Sequence, residues 1–339
     1  MNVMKPTDFS KYLTAFLANY LPHERGASTN TITAYRDTFV LFIKFMEING
    51  VKVNCLTIEK ITKELVIAFL EWLEAERHCS SSTRNLRLAS IHSFFRYIQY
   101  QHPENLFECQ KILSIKVKKI KHVPMTYLSI DGIALLLQQP DLSTTRGRRD
   151  LALLSLMYDT GARVQEIIDL SSSKIRLDKP TTIRITGKGN KTRVVPMLTD
   201  QVRLLKNYMQ EHNLIEPHAG MYPLFCNCRK EKLTRAGVNH ILLKYVKMAK
   251  EMNPKLIPEK ISCHSLRHSK AMHLLQAGVN LVYIRDILGH VSVQTTEVYA
   301  RADSRQKREA LEKAYVDVQP KQGAMWLANG NLLDWLKSL

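Results

Sequence analysis

The chain has 339 residues, enough for two domains, and is 45% hydrophobic, enough for ordinary cores. Its 49 Lys and Arg against 31 Asp and Glu leave a net charge of +18, which points to a polyanion partner, nucleic acid first. No apolar run reaches transmembrane length, the first residues lack a signal peptide's apolar stretch, and six scattered cysteines argue against a disulfide framework and fit a reducing cytoplasm.

In chain order, Phe9 to Tyr20 has apolar residues at helical spacing, and 21–28, with Pro22 and Gly26, reads as a break. Asn30 to Asn49 is a second helix with Tyr35, Phe39, Phe42, Ile43 and Met46 inward, closed by Gly50. Thr57 to Thr62 reads as a short turn. Lys63 to Arg77 is a third helix, burying Val66, Phe69, Leu70 and Leu73. Ser80 to Thr83 cap a fourth that runs to about Gln101. Its apolar side is Leu86, Ile91, Phe94, Phe95 and Ile98, and its polar positions include Arg84, Arg87 and Arg96. Residues 1–79 carry no net charge, whereas 80–121 carry eight basic and two acidic side chains. One basic side therefore begins at the fourth helix. After Pro103, a stretch with Lys111, Lys116, Lys118, Lys119 and Lys121 shows no clear period and ends at Pro124. It reads as a basic linker whose lysines cross phosphates.

Beyond it, Leu128 to Gln138 is a helix capped by Ser129, and Arg146 to Asp159 is a buried one. Gly161 allows a sharp turn that aims Arg163. Three strands are expected, Lys174 to Leu177, Thr181 to Thr186 and Thr192 to Val195, with Lys188 at the tip between the last two. Helices follow over Asp200 to Glu211, Thr234 to Glu251, Ser265 to Ala277 and Leu281 to Leu288, with 213–230 irregular. Gly289 is a C-cap, and Ser292 can cap the short helix that carries Tyr299. Cys226 and Cys228 lack a second pair at zinc spacing, so no metal site is expected. Residues 303–316 pattern as a charged helix. The tail beyond Pro320 holds Met325, Trp326, Leu332, Leu333, Trp335 and Leu336, which water would disfavour.

Arg163, Lys188, His264, Arg267, His290 and Tyr299 suit one task. Guanidinium, ammonium and imidazole groups hold a phosphodiester and neutralise its transition state while a phenol attacks it. The stretches Thr160-Gly161-Ala162-Arg163-x-x-Glu166, Gly187-Lys188-Gly189-Asn190-Lys191, His264-x-Leu266-Arg267-His268 and Leu288-Gly289-His290, with Tyr299 nine residues on, resemble the tyrosine recombinases: Xer-type recombinases and phage or transposon integrases. The resemblance is close over the C-terminal half and rests on helical pattern alone in the N-terminal half.

It implies a mainly α fold in two domains, a four-helix core-binding (SAM-like) domain over 1–110 and an α+β catalytic domain with a small antiparallel sheet over 125–318. The linker would be 111–124. A tail over 319–339 would dock on its own domain or on a neighbouring protomer. It implies a site-specific recombinase without cofactor that acts through a 3′-phosphotyrosyl link and a Holliday junction. Its partner would be double-stranded DNA with inverted half-sites, bound by a homodimer and synapsed by a homotetramer. No arm-binding domain is expected. Tyr299 would be the nucleophile and Lys188 the general acid, with Lys191 the alternative; Glu166 would brace the site. Arg84, Arg87, Arg96, Lys116, Lys118, Lys119 and Lys121 would meet DNA. His268 is read as structural, His273 as core, and Tyr283 and Tyr315 as rival nucleophiles. Two other classes stay open: a type IB topoisomerase and a non-catalytic DNA-binding protein.

Overall fold

The computed structural model describes residues 6–120, 125–302 and 332–337. The chain forms two compact units, Met1–Val123 and Pro124–Leu339. The expected helix over 303–316 and the greater part of the tail lie outside the described residues.

The N-terminal unit is helical because hydroxyl caps start its helices and aromatic faces close them against each other. Helix α1 (Asp8–Ala15), α2 (Thr29–Ile48), α3 (Lys63–Ala75) and α4 (Ser81–Gln101) begin after Thr7, Ser28, Thr62 and Ser80, each accepting from a backbone N–H three residues on. The chain does not break at residue 21. It continues from α1 as a wide π-type turn, Phe16–Glu24, with Pro22 inside it. That looser winding accommodates a residue that has no N–H to give.

Two expectations need correction here. Leu86 is 68% exposed, and Leu88 is buried in its place. Leu88 is the residue three positions before Ile91 and seven before Phe95, in phase with the buried stripe. The chain also does not leave the unit at Pro103: Leu106–Leu113 is a further helix, α5, burying Cys109 and Ile112. The Glu108 carboxylate accepts from the Lys63 N–H at 2.7 Å, and the His92 ring contacts the Ile112 carbonyl at 3.0 Å. Lys111 thus lies on a helix and not in a linker.

The second unit packs α6 (Ile130–Leu137), α7 (Thr145–Thr160), α9 (Thr199–Glu211) and α10 (Arg235–Met252) with a three-stranded antiparallel sheet. The strands are β1 (Ile175–Arg176), β2 (Thr182–Thr186) and β3 (Thr192–Pro196), in spatial order β1-β2-β3. Ile183 and Ile185 point into the core and Arg184 points out, as the period of two requires. Helix α11 (Cys263–Gln276) packs on α7. Its Ser269 hydroxyl accepts from the Leu128 N–H at 2.8 Å. Helix α12 (Leu281–Leu288) ends at Gly289 (φ +67°), and α13 (Gln294–Ala302) follows. Tyr299 joins Met272, Leu275, Ile284 and Leu288 in a small cluster of α11, α12 and α13. Helix α8 (Val164–Ile168), which no periodicity signalled, starts at Arg163.

Candidate active site

Gly161 ends α7 in the left-handed region at φ +56°, and a Cβ there would lie 2.6 Å from Leu288 Cδ2. Only glycine fits both constraints. The turn it makes places Arg163 at the start of α8. The Arg163 N–H donates to Glu166 Oε2 at 3.0 Å, and its Nη1 donates to Oε1 at 2.9 Å. Glu166 is buried and meets a second cation: Arg193 Nη2 donates to Oε2 at 2.7 Å. Burial by itself would raise this carboxyl, but Arg193 and then Arg163 outweigh it and hold it below the usual range.

Arg193 was missed in the sequence. It also donates from Nε to the Ile287 carbonyl at 2.8 Å, and a Cβ on Gly289 would strike its Nη1 at 2.8 Å. One side chain therefore ties the β2–β3 hairpin to Glu166 and to the end of α12. A signal existed: Arg193 shares a strand face with buried Val195, whereas Val194 is exposed. A charge at an inward position asks for a partner.

Arg267, on α11, is 3% exposed. Its Nη1 donates to the Gly161 carbonyl at 2.7 Å, and its Nη2 is buried with no hydrogen-bond partner among the described residues. Burial, then the Arg163 charge, lowers this guanidinium to about 10. Tyr299 is also 3% exposed. Burial pushes its phenol up, and Arg267, by its charge and by hydrogen bonding, and then the Arg163 charge pull it back in part.

His268, read from the sequence as structural, reaches the phenol. Its Nδ1 lies 3.1 Å from Tyr299 Oη. Four residues after His264, it shares a face with it, and α13 packs against α11. His290 stacks parallel to Tyr299, with centroids 6.3 Å apart, and its Nδ1 meets the buried Thr296 hydroxyl at 2.9 Å. Burial drives both imidazoles down to about 4, helped by His264 and Arg267 for His268 and by the Arg267, Arg163 and Arg193 charges for His290. His264, at the start of α11, is lowered too, by burial and then by Arg267 and Arg163.

The structure thus brings Arg163, Glu166, His264, Arg267, His290 and Tyr299 together and adds Arg193 and His268. Lys188 stands at the hairpin tip, where the Gly187 N–H donates to the Lys191 carbonyl at 2.8 Å; its side chain lies outside the described residues. Lys191 is exposed, Tyr283 is exposed on α12, and Tyr315 lies outside the described residues. His273 is half-buried, its Nδ1 2.8 Å from the Tyr158 hydroxyl.

Residues 127–306 match the phage integrase family, and residues 13–102 match the N-terminal SAM-like domain of phage integrases. The chain belongs to the phage integrase family. It is 37% identical to a Sinorhizobium fredii protein named as an integrase/recombinase, over 99% of both chains. It is 33% identical to tyrosine recombinase XerC of Herpetosiphon aurantiacus, over 86% of this chain and 90% of that one. Among solved structures it is similar to the XerH site-specific recombinase bound to its difH substrate before cleavage. That match has a TM-score of 0.64 at 26% identity, over 88% of this chain and 84% of that one. The enzyme is a tyrosine-type site-specific recombinase, mainly helical, with a SAM-like N-terminal domain and a small antiparallel sheet in its catalytic domain.

In this recombinase the basic residues of the N-terminal unit divide into two groups. Arg84 is 6% exposed, and its Nη1 donates to Asn85 Oδ1 and to the Lys116 carbonyl. Arg87 donates to the Ala34 carbonyl and the Thr38 hydroxyl, both at 3.1 Å. Arg96, Lys116, Lys118 and Lys119 are exposed, Lys118 pairing with Glu74 at 2.6 Å, and Lys121 lies outside the described residues. Among the described residues no group of three His, Cys, Asp or Glu could hold a metal ion, and no helix is long and apolar enough to cross a membrane.

Proposed function

We propose that this recombinase cleaves and rejoins duplex DNA through a 3′-phosphotyrosyl link to Tyr299. Tyr299 Oη attacks the phosphorus and the P–O5′ bond breaks. The leaving oxygen takes its proton from Lys188 on the hairpin. Arg163, Arg267 and His264 hold the non-bridging oxygens, and His290 donates to the same phosphate. Glu166 braces Arg163 and touches no DNA. Attack by the 5′ hydroxyl of another strand reverses the step and conserves the bond energy, so neither metal nor nucleotide enters the reaction.

The observation that carries this reading is Arg267 Nη2. A buried donor without a partner costs about 1–3 kcal/mol, and more when charged. A phosphate oxygen beside Tyr299 removes that cost. The reading assigns 1–113, through α5, to a core-binding domain, 114–124 to the linker, 125–318 to the catalytic domain and 319–339 to the tail. It assigns phosphate contacts to exposed Arg96, Lys116, Lys118 and Lys119, and to Lys121. Arg84 and Arg87, turned inward, back that surface from within α4. A homodimer on inverted half-sites and a homotetramer that exchanges strands through a Holliday junction complete it. Integration, excision, transposition and resolution are the outcomes open to such an assembly. In this reading the tail, which includes the short helix Leu332–Lys337, docks on a neighbouring protomer.

The test is Tyr299→Phe on a nicked suicide substrate. The variant binds its site and forms no covalent adduct; a stable adduct would mean that another residue attacks.

A further inference from the structure

We propose that His268 is a further catalytic residue of this site: its Nδ1 holds the phenolic proton of Tyr299 and takes that proton as the Oη–phosphorus bond forms. The inference rests on the reading of Tyr299 as nucleophile and deepens it, because that reading left the tyrosine's proton without a destination.

The contact itself is plain: His268 Nδ1 stands 3.1 Å from Tyr299 Oη, and Tyr299 is 3% exposed, so water has little access to the hydroxyl. The direction of the hydrogen bond follows from the neighbours. A phenol has one proton to give. Arg267 and Arg163, the charges that act on Tyr299, carry donors only and cannot receive it. Glu166, the nearby carboxylate, has its oxygens engaged by Arg163 and Arg193. His290 is stacked parallel on the phenol, and its Nδ1 is engaged with Thr296. His268 Nδ1 is the acceptor that stands within hydrogen-bonding distance of the hydroxyl, and accepting there sets the tautomer with the proton on Nε2.

His268 is neutral in the free enzyme, since burial and its cationic neighbours keep its pKa near 4. It therefore has a lone pair to offer. Its proton affinity is lowest when the site is empty. It rises when a phosphate that gains negative charge enters the ring of His264, Arg267 and Arg163. The step balances: the Oη–H bond breaks and its proton goes to Nδ1, giving an imidazolium. The Oη–P bond forms, and the P–O5′ bond breaks with its electron pair on the leaving oxygen, which the general acid protonates. On religation the imidazolium returns its proton to Tyr299 Oη.

The experiment measures single-turnover adduct formation on the suicide substrate with His268→Asn, His268→Phe and the native chain, alongside half-site binding. An asparagine can hydrogen-bond from the Nδ1 position yet cannot take a proton. Both variants should bind the half-site normally and form adduct about 10²-fold more slowly, the lower end of what a proton acceptor contributes. Position 299 is then filled with a trifluorinated tyrosine, whose ring fluorines make its phenol far more acidic. That residue should return most of the lost rate to His268→Asn, since an ionised phenol needs no acceptor. Native adduct rates in His268→Asn overturn the inference. So does a loss that the acidic tyrosine fails to restore, which would make His268 a packing partner alone. The Tyr299→Phe control separates the two claims: adduct from that variant overturns the nucleophile reading itself, whereas no adduct from it, together with a native rate in His268→Asn, overturns only the role of His268.

Discussion

In the N-terminal unit the centre of the buried core is a cluster of rings packed among aliphatic side chains. Phe94 meets Phe9, Phe16, Phe39 and Phe95 at centroid distances from 5.0 to 5.9 Å, mostly edge to face. Around Tyr299 the second unit buries charge instead: Glu166 between Arg163 and Arg193, and Arg267 with one donor unanswered. The ring cluster gains from every contact, by area and by edge-to-face geometry. The charged cluster gains less, because taking ions out of water offsets their attraction. What it supplies is a fixed field that is already oriented when a charged substrate arrives. One unit is therefore organised for stability, and the other accepts poorer stability around the site for the sake of reactivity.

Four measurements would break or sharpen that contrast. The largest effect is expected from Phe94→Ala, which removes a ring fully buried among four others. It should cost about 3–5 kcal/mol and accelerate amide exchange along α4 by more than about a hundredfold. Unchanged exchange would mean that the rings do not form one cooperative core.

Arg267→Ala comes next. Strand cleavage should fall about 10²–10³-fold, the size of a lost transition-state donor. Exchange in α11 should change much less than exchange in α4 does in Phe94→Ala. If this variant unfolds the second unit, buried charge there serves stability after all, and the contrast fails.

A third measurement addresses the basic edge of the N-terminal unit. Each phosphate contact adds about 0.9 to the slope of log affinity against log salt. Changing Lys116, Lys118 and Lys119 together to Gln should narrow the affinity gap between about 50 and 200 mM salt roughly fortyfold. An unchanged slope makes the segment a tether.

The smallest effect is the pH dependence of stability in the second unit. His268 and His290 titrate near 4 when folded and near the ordinary histidine value when unfolded. Between those values the unfolded chain binds more protons, so stability is full above the unfolded pKa and is lost as pH falls toward 4. Glu166, also depressed on folding, continues the loss at still lower pH. NMR titration of the two imidazoles in the free protein checks the assignment. A ring that protonates near pH 6.5 would remove that histidine from the buried network.

Much of this fold was legible because helix phase is a local property. The stripe Val66, Phe69, Leu70 and Leu73 names its own buried face, and the hydroxyls of Ser80 and Ser129 mark starts that the structure keeps. The glycines at 161 and 289 read as turns, and both adopt positive φ. The alternation from Thr181 to Val195 named two strands and the hairpin between them. The residue types gathered at the site were legible too, because spacing along one helix or across one short corner is also local.

What only the tertiary structure decided is which groups meet across elements that are distant in sequence. Nothing near Arg193 announces Glu166, 27 residues before it, or the Ile287 carbonyl, 94 residues after it. Nothing near His268 announces a hydroxyl 31 residues later. Leu86 and Leu88 differ in fate because of what packs on α4, and Arg84 turns inward because a carbonyl 32 residues away awaits it. A sequence sets the period and the chemistry of each face. The partner that a face buries against, and hence whether a charge is solvated, paired or left open for a ligand, depends on distances that exist only once the elements have packed.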